Sequence, residues 1–465
     1  MRSLFPLSKK DLPFPPPLRK LLGPSFILLG LGLGSGELIL WPYLAANFGL
    51  GIIWGALLGI TFQFFINMEI ERYALVTGES IFVGLARKLK LAAPLWFIAS
   101  TLIPWMWPGI IASSGALLAA IFGIKYSAII PIILLLLIGI ALTLGPVIYK
   151  TQEVFQRTLI IIGVPFIFLA VFFLAKPLDW QALALGLIGK GQGFWFLPAG
   201  ISLATFLGAF AYSGAGGNLN LAQSYYIKEK GYGMGKYSGK ITSILTGKKE
   251  KIALEGATFE PSPKNLRLFK LWWKRINTEH ALVFWGTGAI TMLLLALLSY
   301  ITVFGTQTSS EGIGFVLTEA TVIAQRTFPF VGSLFLLVAG LMLFSTQFSI
   351  LDATSRIMSE NLVITSSRFR MEKLPTYYYV LLWVQILAGI IIFSLGFTQP
   401  LSLVVIGATL NAIAMFVYTG LVLWVNLSSL NKLLRPSAIR IFTVSLAFIF
   451  YGVFSLITVV QYLRQ

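Results

Sequence analysis

The stretch Gly30–Leu40, GLGLGSGELIL, decides how the rest of the chain is read. It lies inside an apolar run suited to a membrane helix, yet it holds four glycines, a serine and a carboxylate. Each glycine weakens a helix interior by about 1 kcal/mol relative to alanine. An ionisable group at mid-membrane costs about 3 kcal/mol unless something compensates it. The stretch therefore predicts a membrane helix interrupted near Gly34–Gly36, with Glu37 at the interruption. A second segment of this kind is Gly208–Ser224, GAFAYSGAGGNLNLAQS, where Gly214, Gly216 and Gly217 crowd the middle and Asn218, Asn220, Gln223 and Ser224 follow. It predicts a second break over Ser213–Gly217.

The chain around them has 465 residues, of which 57% are hydrophobic and only 11% charged, with a mean hydropathy of +0.84. Soluble domains carry about 25% charged residues, so this is the composition of an integral membrane protein. Apolar runs of membrane-crossing length recur, approximately at 22–46, 50–76, 94–122, 127–148, 154–175, 197–226, 279–303, 328–351, 377–397, 400–426 and 439–463. All are expected to be helices, because a lone segment in lipid must satisfy its own backbone; the alternation of a membrane barrel does not recur. The N-terminal segment before the first run lacks an apolar core of its own and does not read as a cleavable signal.

The two expected breaks fall five spans apart. An odd offset inserts the second unit in the opposite sense, which is the requirement for a five-plus-five inverted repeat: 22–175, then 197–426, with 439–463 as an eleventh helix. An unwound helix frees backbone amides and carbonyls at mid-membrane, tolerated where they line a cavity or hold a ligand, and half-helix ends add partial charges aimed at the gap. A midplane site for a polar or cationic solute follows. The competing reading is close helix packing through small residues, with Glu37 a protonated acid bonded to a neighbour.

The net charge is +18. Nucleic acid is not the expected partner, since the cations sit between spans. Lys9, Lys10, Arg19 and Lys20, then Arg87, Lys88 and Lys90, Lys150 and Arg157, the segment Lys228–Arg275, Arg368, Arg370 and Lys373, and finally Lys432, Arg435 and Arg440 fall on one side of an eleven-span chain. The opposite loops hold Lys125, Lys176, Lys190 and Arg326. The positive-inside rule places the N-terminus in the cytoplasm and the C-terminus outside the plasma membrane. The loop 227–277 reads as a solvated linker or as a lever tied to the sixth span. With no cysteine and a single histidine, His280, no disulfide, no His-based metal site and no His-centred catalytic relay is expected. No phosphate-binding G-x-x-x-x-G-K-[ST] is present; no cofactor is implied.

From GPSFILLG, before the first break, to the eleventh span, and most specifically over GAGGNLNLAQSYYIKEKGYGMG, the chain resembles the Nramp-related (natural resistance-associated macrophage protein-like) branch of the amino-acid–polyamine–cation transporters. The resemblance implies an all-α LeuT-like fold with helices 1 and 6 broken, and a secondary transporter of cations. It also implies a divergent site. The family's Asp-Pro-Gly-Asn corresponds to Gly34, Ser35, Gly36 and Glu37, so the metal-binding Asp is a glycine and the metal-binding Asn is Glu37. Its Met-Pro-His corresponds to Ala215, Gly216 and Gly217, and the Ala whose carbonyl binds metal corresponds to Tyr212. No Asp or Glu occurs between Glu79 and Glu153, where the family's third helix carries acidic residues.

Loss of the soft thioether and retention of one carboxylate points away from iron and manganese toward a hard cation; an organic cation against Tyr43, Trp105, Trp107 and Tyr212 is the alternative. The expected binding residues are Glu37, Gly34, Ser35, Gly36, Tyr212, Ser213, Ala215, Gly216 and Asn218, with Glu37 the one candidate metal ligand. Gln347 and Asn411 are expected beside them. Glu69 with Arg72, and Asp352 with Arg356, read as cytoplasmic pairs or gates. The partners expected are the lipid bilayer, a small cation or small solute, and a coupling proton or other ion. A non-transporting receptor or scaffold on the same fold is the other reading.

Overall fold

The protein is described by a computed structural model that covers residues 2–18, 21, 24–32, 34–144, 147–238, 254–306 and 312–464. Among these the only paired strands are β1 (Ser8–Lys9) and β2 (Ala257–Thr258), which run parallel. Everything else that is regular is helical.

The first span is divided as its glycines predict. Helix α1 (Pro24–Gly32) stops, and the chain resumes as a π turn, Gly36–Leu40, that leads into α2 (Trp41–Phe48). Helix α3 (Trp54–Thr77) ends at Gly78, whose φ of 63° closes it with a left-handed cap. Helix α4 (Ile81–Leu89) begins at Ser80, whose Oγ accepts from the Val83 amide. Helices α5 (Ala92–Trp105) and α6 (Gly109–Ile121) form one apolar run divided just before Pro108. Then come α7 (Ile129–Thr143), α8 (Val147–Leu174) and α9 (Pro177–Leu187); the apolar end of α8 and α9 meet at a 117° bend.

The sixth span is broken as well. Helix α10 (Leu203–Ala211) is followed by an irregular stretch, a 3₁₀ turn at Gly217–Ala222, and α11 (Gln223–Glu229). Gly216 and Gly217 take φ of 74° and 50°, which a β-carbon disfavours. Beyond it, α12 (Pro263–His280) continues through a π turn, Ala281–Thr287, into α13 (Gly288–Thr302). The remainder is α14 (Gly314–Arg326), α15 (Pro329–Thr365), α16 (Leu374–Ser394), α17 (Pro400–Ser429) and α18 (Ala438–Arg464).

Eight helices, or nine with the bent pair, are long and apolar enough to cross a membrane among the described residues. The expected eleven differ from these for a physical reason: α7 has 15 residues, and the sixth span is divided into pieces too short to cross alone. Helix α15 is central, packing on α1, α5, α6, α14 and α16; α17 packs on α10 and α18, and α13 on α2. Outward residues of α18, such as Phe442, Ile449 and Leu456, are exposed and apolar. That is the surface of an integral membrane protein facing lipid.

The loop 227–277 departs from the linker expectation. Its end is structured: β2 pairs with β1, and Trp272 and Arg275 of α12 donate to the carbonyls of Pro13, and of Pro15 and Pro16. The N-terminal segment also reaches α15, where the Arg2 amide donates to Ile364 O. Residues 239–253, with Lys248, Lys249 and Lys251, lie outside the described residues, as do Arg19 and Lys20.

Helix α14 carries a buried acid, Glu319, whose Oε2 accepts from Ser299 Oγ at 2.7 Å. Burial lifts its pKa from 4.5 to about 8, against the opposing hydrogen bond from Ser299. The folded state then holds a proton that the unfolded chain releases between these values, so stability falls as pH rises through that window. We expect the melting temperature to decline from pH 5 to 9, and Glu319→Gln to flatten the decline. Parallel curves for the two proteins would refute this.

Candidate substrate site at the paired helix breaks

The two breaks touch through their backbones. A β-carbon placed on Gly32 would lie 2.7 Å from the carbonyl carbon of Gly214. One on Gly36 would overlap the Tyr212 carbonyl oxygen, and one on Gly34 would overlap the Thr346 side chain of α15. The glycines are thus required by contact: each spaces the first break to admit the sixth span or α15. The β-carbon of a residue at position 59 on α3 would likewise meet Ser213 Oγ at 2.6 Å and Phe210 O at 3.0 Å.

Side chains from surrounding helices satisfy the unwound segments. Thr346 Oγ1 donates to Gly30 O at 3.3 Å. Gln63 of α3 donates to Ala211 O at 2.9 Å, and its Oε1 accepts from the Gly216 amide at 3.4 Å and from Asn220 Nδ2 at 3.1 Å. Asn220 also donates to Tyr418 OH at 2.9 Å. Ser213 Oγ accepts from Trp41 Nε1 at 2.9 Å and donates to Ala209 O at 3.0 Å. Asn218 donates to Ser100 Oγ and Thr101 Oγ1 of α5, at 2.9 and 2.8 Å. Asn411 of α17 donates to Tyr212 OH at 2.9 Å, and the Tyr212 ring stacks on Trp105, 5.5 Å between centroids and 9° between planes.

The expected binding residues therefore gather at one place, all buried: Gly34, Ser35, Gly36, Tyr212, Ser213, Ala215, Gly216 and Asn218, with Asn411 bonded to Tyr212; Gln347 is buried on α15, next in sequence to the Thr346 that meets Gly34. Glu37 is fully buried next to them but faces a different way. A β-carbon on Gly288 of α13 would stand 3.5 Å from Glu37 Oε1, in the company of Ile60 and Leu29. The carboxyl looks toward α3 and α13, and neither oxygen has a hydrogen-bond partner among the described residues. Ser35 Oγ and Ser345 Oγ are buried and unpartnered in the same sense. No three His, Asp or Glu residues converge on a point where a metal ion would fit, among the described residues. Tyr43 is edge-on to Phe315 and Trp107 to Phe397.

The charged pairs sit apart from the breaks. Arg72 Nε meets Glu69 Oε2 at 2.7 Å, and Arg440 of α18 reaches Glu69 Oε1 at 3.3 Å. Arg356 lies between Asp352, at 3.0 Å, and Glu229 of α11, at 3.2 Å, while Tyr378 OH donates to Asp352. Gln63, Ser100, Thr101, Thr346 and Tyr418 were not singled out by sequence. Gln63 had a usable signal: with Asn67 it places two amides four residues apart on one face of an apolar helix.

No family model and no curated protein matches the chain. Solved structures do. A mutant of the manganese transporter of Eremococcus coleocola superposes with a TM-score of 0.66 at 13% identity, over 97% of this chain and 89% of that one. The same transporter in complex with an aromatic bis-isothiourea compound gives 0.67 at 14%, with the same coverage. Mhp1, a nucleobase-cation-symport-1 family transporter in a closed conformation with bromovinylhydantoin bound, gives 0.55 at 13%, over 95% and 91%. The chain has the LeuT fold. These likenesses carry the architecture, including broken helices 1 and 6.

Because the first break rests on backbone of the sixth span, a side chain there has no flexible neighbour to displace. Gly36→Ala should destabilise the protein by about 1–3 kcal/mol, read as a lower melting temperature. Gly115→Ala, whose new methyl would meet its nearest neighbours at 3.3–3.4 Å, should change it little. Equal effects of the two substitutions would contradict the packing described.

Proposed function

We propose that the chain is a secondary transporter that moves a small cation by alternating access. The observation that carries this reading is the meeting of two interrupted helices inside an apolar bundle. Unpaired backbone in a membrane is retained where it handles a ligand, and half-helix ends direct partial charges to that point.

Glu37 is the proposed anionic group. A buried carboxyl without a hydrogen-bond donor cannot stay ionised in apolar surroundings unless a cation or a proton joins it. With the soft Met of the resembled family replaced by Ala215, a hard cation is favoured over iron or manganese. The five-plus-five inverted repeat, 22–175 and 197–426, supplies the two halves whose relative movement opens the site to each side. The manganese and nucleobase-cation descriptions belong to the solved neighbours; here the substrate is proposed from this chain's own residues. No enzymatic step is assigned: among the described residues no group of His, Asp or Glu that could hold a metal ion accompanies Glu37.

An organic cation is the second reading. It is favoured by Trp105 stacked on Tyr212 at the second break, since aromatic faces attract such ligands. A scaffold on this fold would keep the breaks locked together; a transporter must part them.

Purified protein in proteoliposomes, tested with magnesium, manganese, sodium, potassium and quaternary ammonium tracers with and without a pH gradient, decides among these. We expect uptake of at least one hard cation, its loss or the loss of its pH dependence in Glu37→Gln, and partial retention in Glu37→Asp. Normal uptake by Glu37→Gln from pH 5 to 8 would place the site elsewhere. Failure of every tracer would leave the scaffold.

Orientation has its own test in this cysteine-free chain. Lys190→Cys should react with an impermeant maleimide on intact cells, and Lys88→Cys only after permeabilisation. Both residues are exposed. The reverse pattern would invert the proposed topology.

A further inference from the structure

A buried polar layer lies at the foot of the first, second, sixth and seventh spans, away from Glu37. Ser25 of α1, Glu71 of α3, Gln223 of α11, and Glu279 and His280 of α12 are each at most 4% exposed. Ser25 Oγ is 2.5 Å from Glu279 Oε2 and 2.8 Å from His280 Nδ1. His280 Nδ1 is 3.5 Å from Glu71 Oε1, which accepts from Gln223 Nε2 at 2.6 Å. The imidazole is stacked between Phe64 and Phe284, with centroids at 5.5 and 4.7 Å, and its Nε2 is buried without a hydrogen-bond partner.

A serine hydroxyl has one proton and can donate to one neighbour at a time. If Ser25 donates to Glu279, then Glu279 is a carboxylate and His280 must carry its proton on Nδ1 to donate back to Ser25. If Ser25 donates to a bare Nδ1, then Glu279 is protonated and donates to Ser25, and the neutral imidazole carries its proton on Nε2. Both arrangements satisfy the same three atoms. They differ by one proton, exchanged with water, and by the tautomer of His280.

The charges around the layer leave room for that proton. Glu69, Glu71 and Glu279 face Arg72 and Arg440, and both guanidinium groups are engaged by Glu69. Arg440 also bonds Asn277, Arg275 is committed to the carbonyls of Pro15 and Pro16, and Tyr232 OH donates to Leu21 O. Among the described residues, three carboxylates stand against two guanidinium groups, so one added proton brings these groups to neutrality, which is strongly favoured where water is excluded. Titrations in such a cluster belong to the group rather than to one residue.

We propose that Ser25, Glu71, Glu279 and His280 form a site for one exchangeable proton. Ser25 is the only member on α1, the inner half of the first broken span, so displacement of α1 cuts the chain of hydrogen bonds and releases the proton. The proton site stands on its geometry. Its link to α1 movement rests on the transporter reading.

His280 is the single histidine of the chain, so protein labelled with ¹⁵N-histidine in lipid nanodiscs gives one imidazole. Between pH 4 and 10 its signals should pass from the Nε2–H to the Nδ1–H tautomer with one midpoint, without an imidazolium stage. Glu279→Gln, whose amide donates permanently to Ser25, should hold Nε2–H throughout, and Glu279→Asp should keep the transition at a shifted midpoint. On the unsubstituted protein, an infrared band of protonated carboxyl should disappear at the same midpoint, and amide exchange over residues 24–32 should accelerate by about tenfold beyond its intrinsic pH dependence once the proton leaves. One tautomer at every pH, or an unaltered transition in Glu279→Gln, would overturn the site. Unchanged exchange in α1 would overturn the link. Absence of uptake for every cation would remove the transporter reading and leave the imidazole result intact.

Discussion

Backbone contact between Gly32 and Gly214, and between Gly36 and the Tyr212 carbonyl, is the constraint on which the rest of the structure depends. Two helices that lose their ladders in the same plane need other donors and acceptors there, since neither lipid nor apolar core offers any. That requirement explains a set of polar residues that would otherwise be costly. Gln63 caps both sides of the second break, Thr346 supports the first, and Asn218 ties the sixth span to α5. The amides are placed by the breaks they serve, each on a helix that passes the midplane.

The same contact ties the first break to the centre of the bundle. Gly34 abuts Thr346 on α15, and α15 is the helix on which α5, α6, α14 and α16 also pack. Separating the two breaks disturbs both halves of the bundle. Helix α1 is held through Ser25 to α12, and the N-terminal segment that precedes α1 is bound at Ser8, Lys9, Pro13, Pro15 and Pro16 by β2, Trp272 and Arg275. The loop between the sixth and seventh spans is therefore joined to the segment that leads into the first span. It is a physical connection between the elements that carry the two breaks.

What was legible in the sequence had a local cause. Glycine clusters announce helix breaks because glycine alone permits the close approach and the φ of Gly216 and Gly217. Run length announces spans. The orientation of Glu37 was not legible, because it depends on a π turn that rotates the helix, and π turns leave no reliable composition signal. Helix α12 was obscured too: its low mean hydropathy resembles a linker, while its amphipathic spacing of Phe269, Trp272 and Ile276 shows only once the N-terminal segment lies against it. Gln63 appears as one amide in an apolar run, and its three partners come from residues about 150 positions away.

The direction of Glu37 also divides the labour of the polar groups. At the breaks the polar groups are amides, hydroxyls and backbone atoms, many of them hydrogen-bonded and some, such as Ser35 Oγ and Ser345 Oγ, without a partner among the described residues, and none of them carries a charge. Glu37 stands beside Gly288 and Ile60, and neither of its oxygens has a hydrogen-bond partner among the described residues. A charge there alters the balance between conformations far more than a neutral hydrogen bond does, because an unpaired buried ion is penalised by several kcal/mol, on the order of a whole protein's stability. On the transporter reading proposed above, whatever neutralises Glu37 would select the arrangement of the first span, and the neutral network would let that span part from the sixth and return.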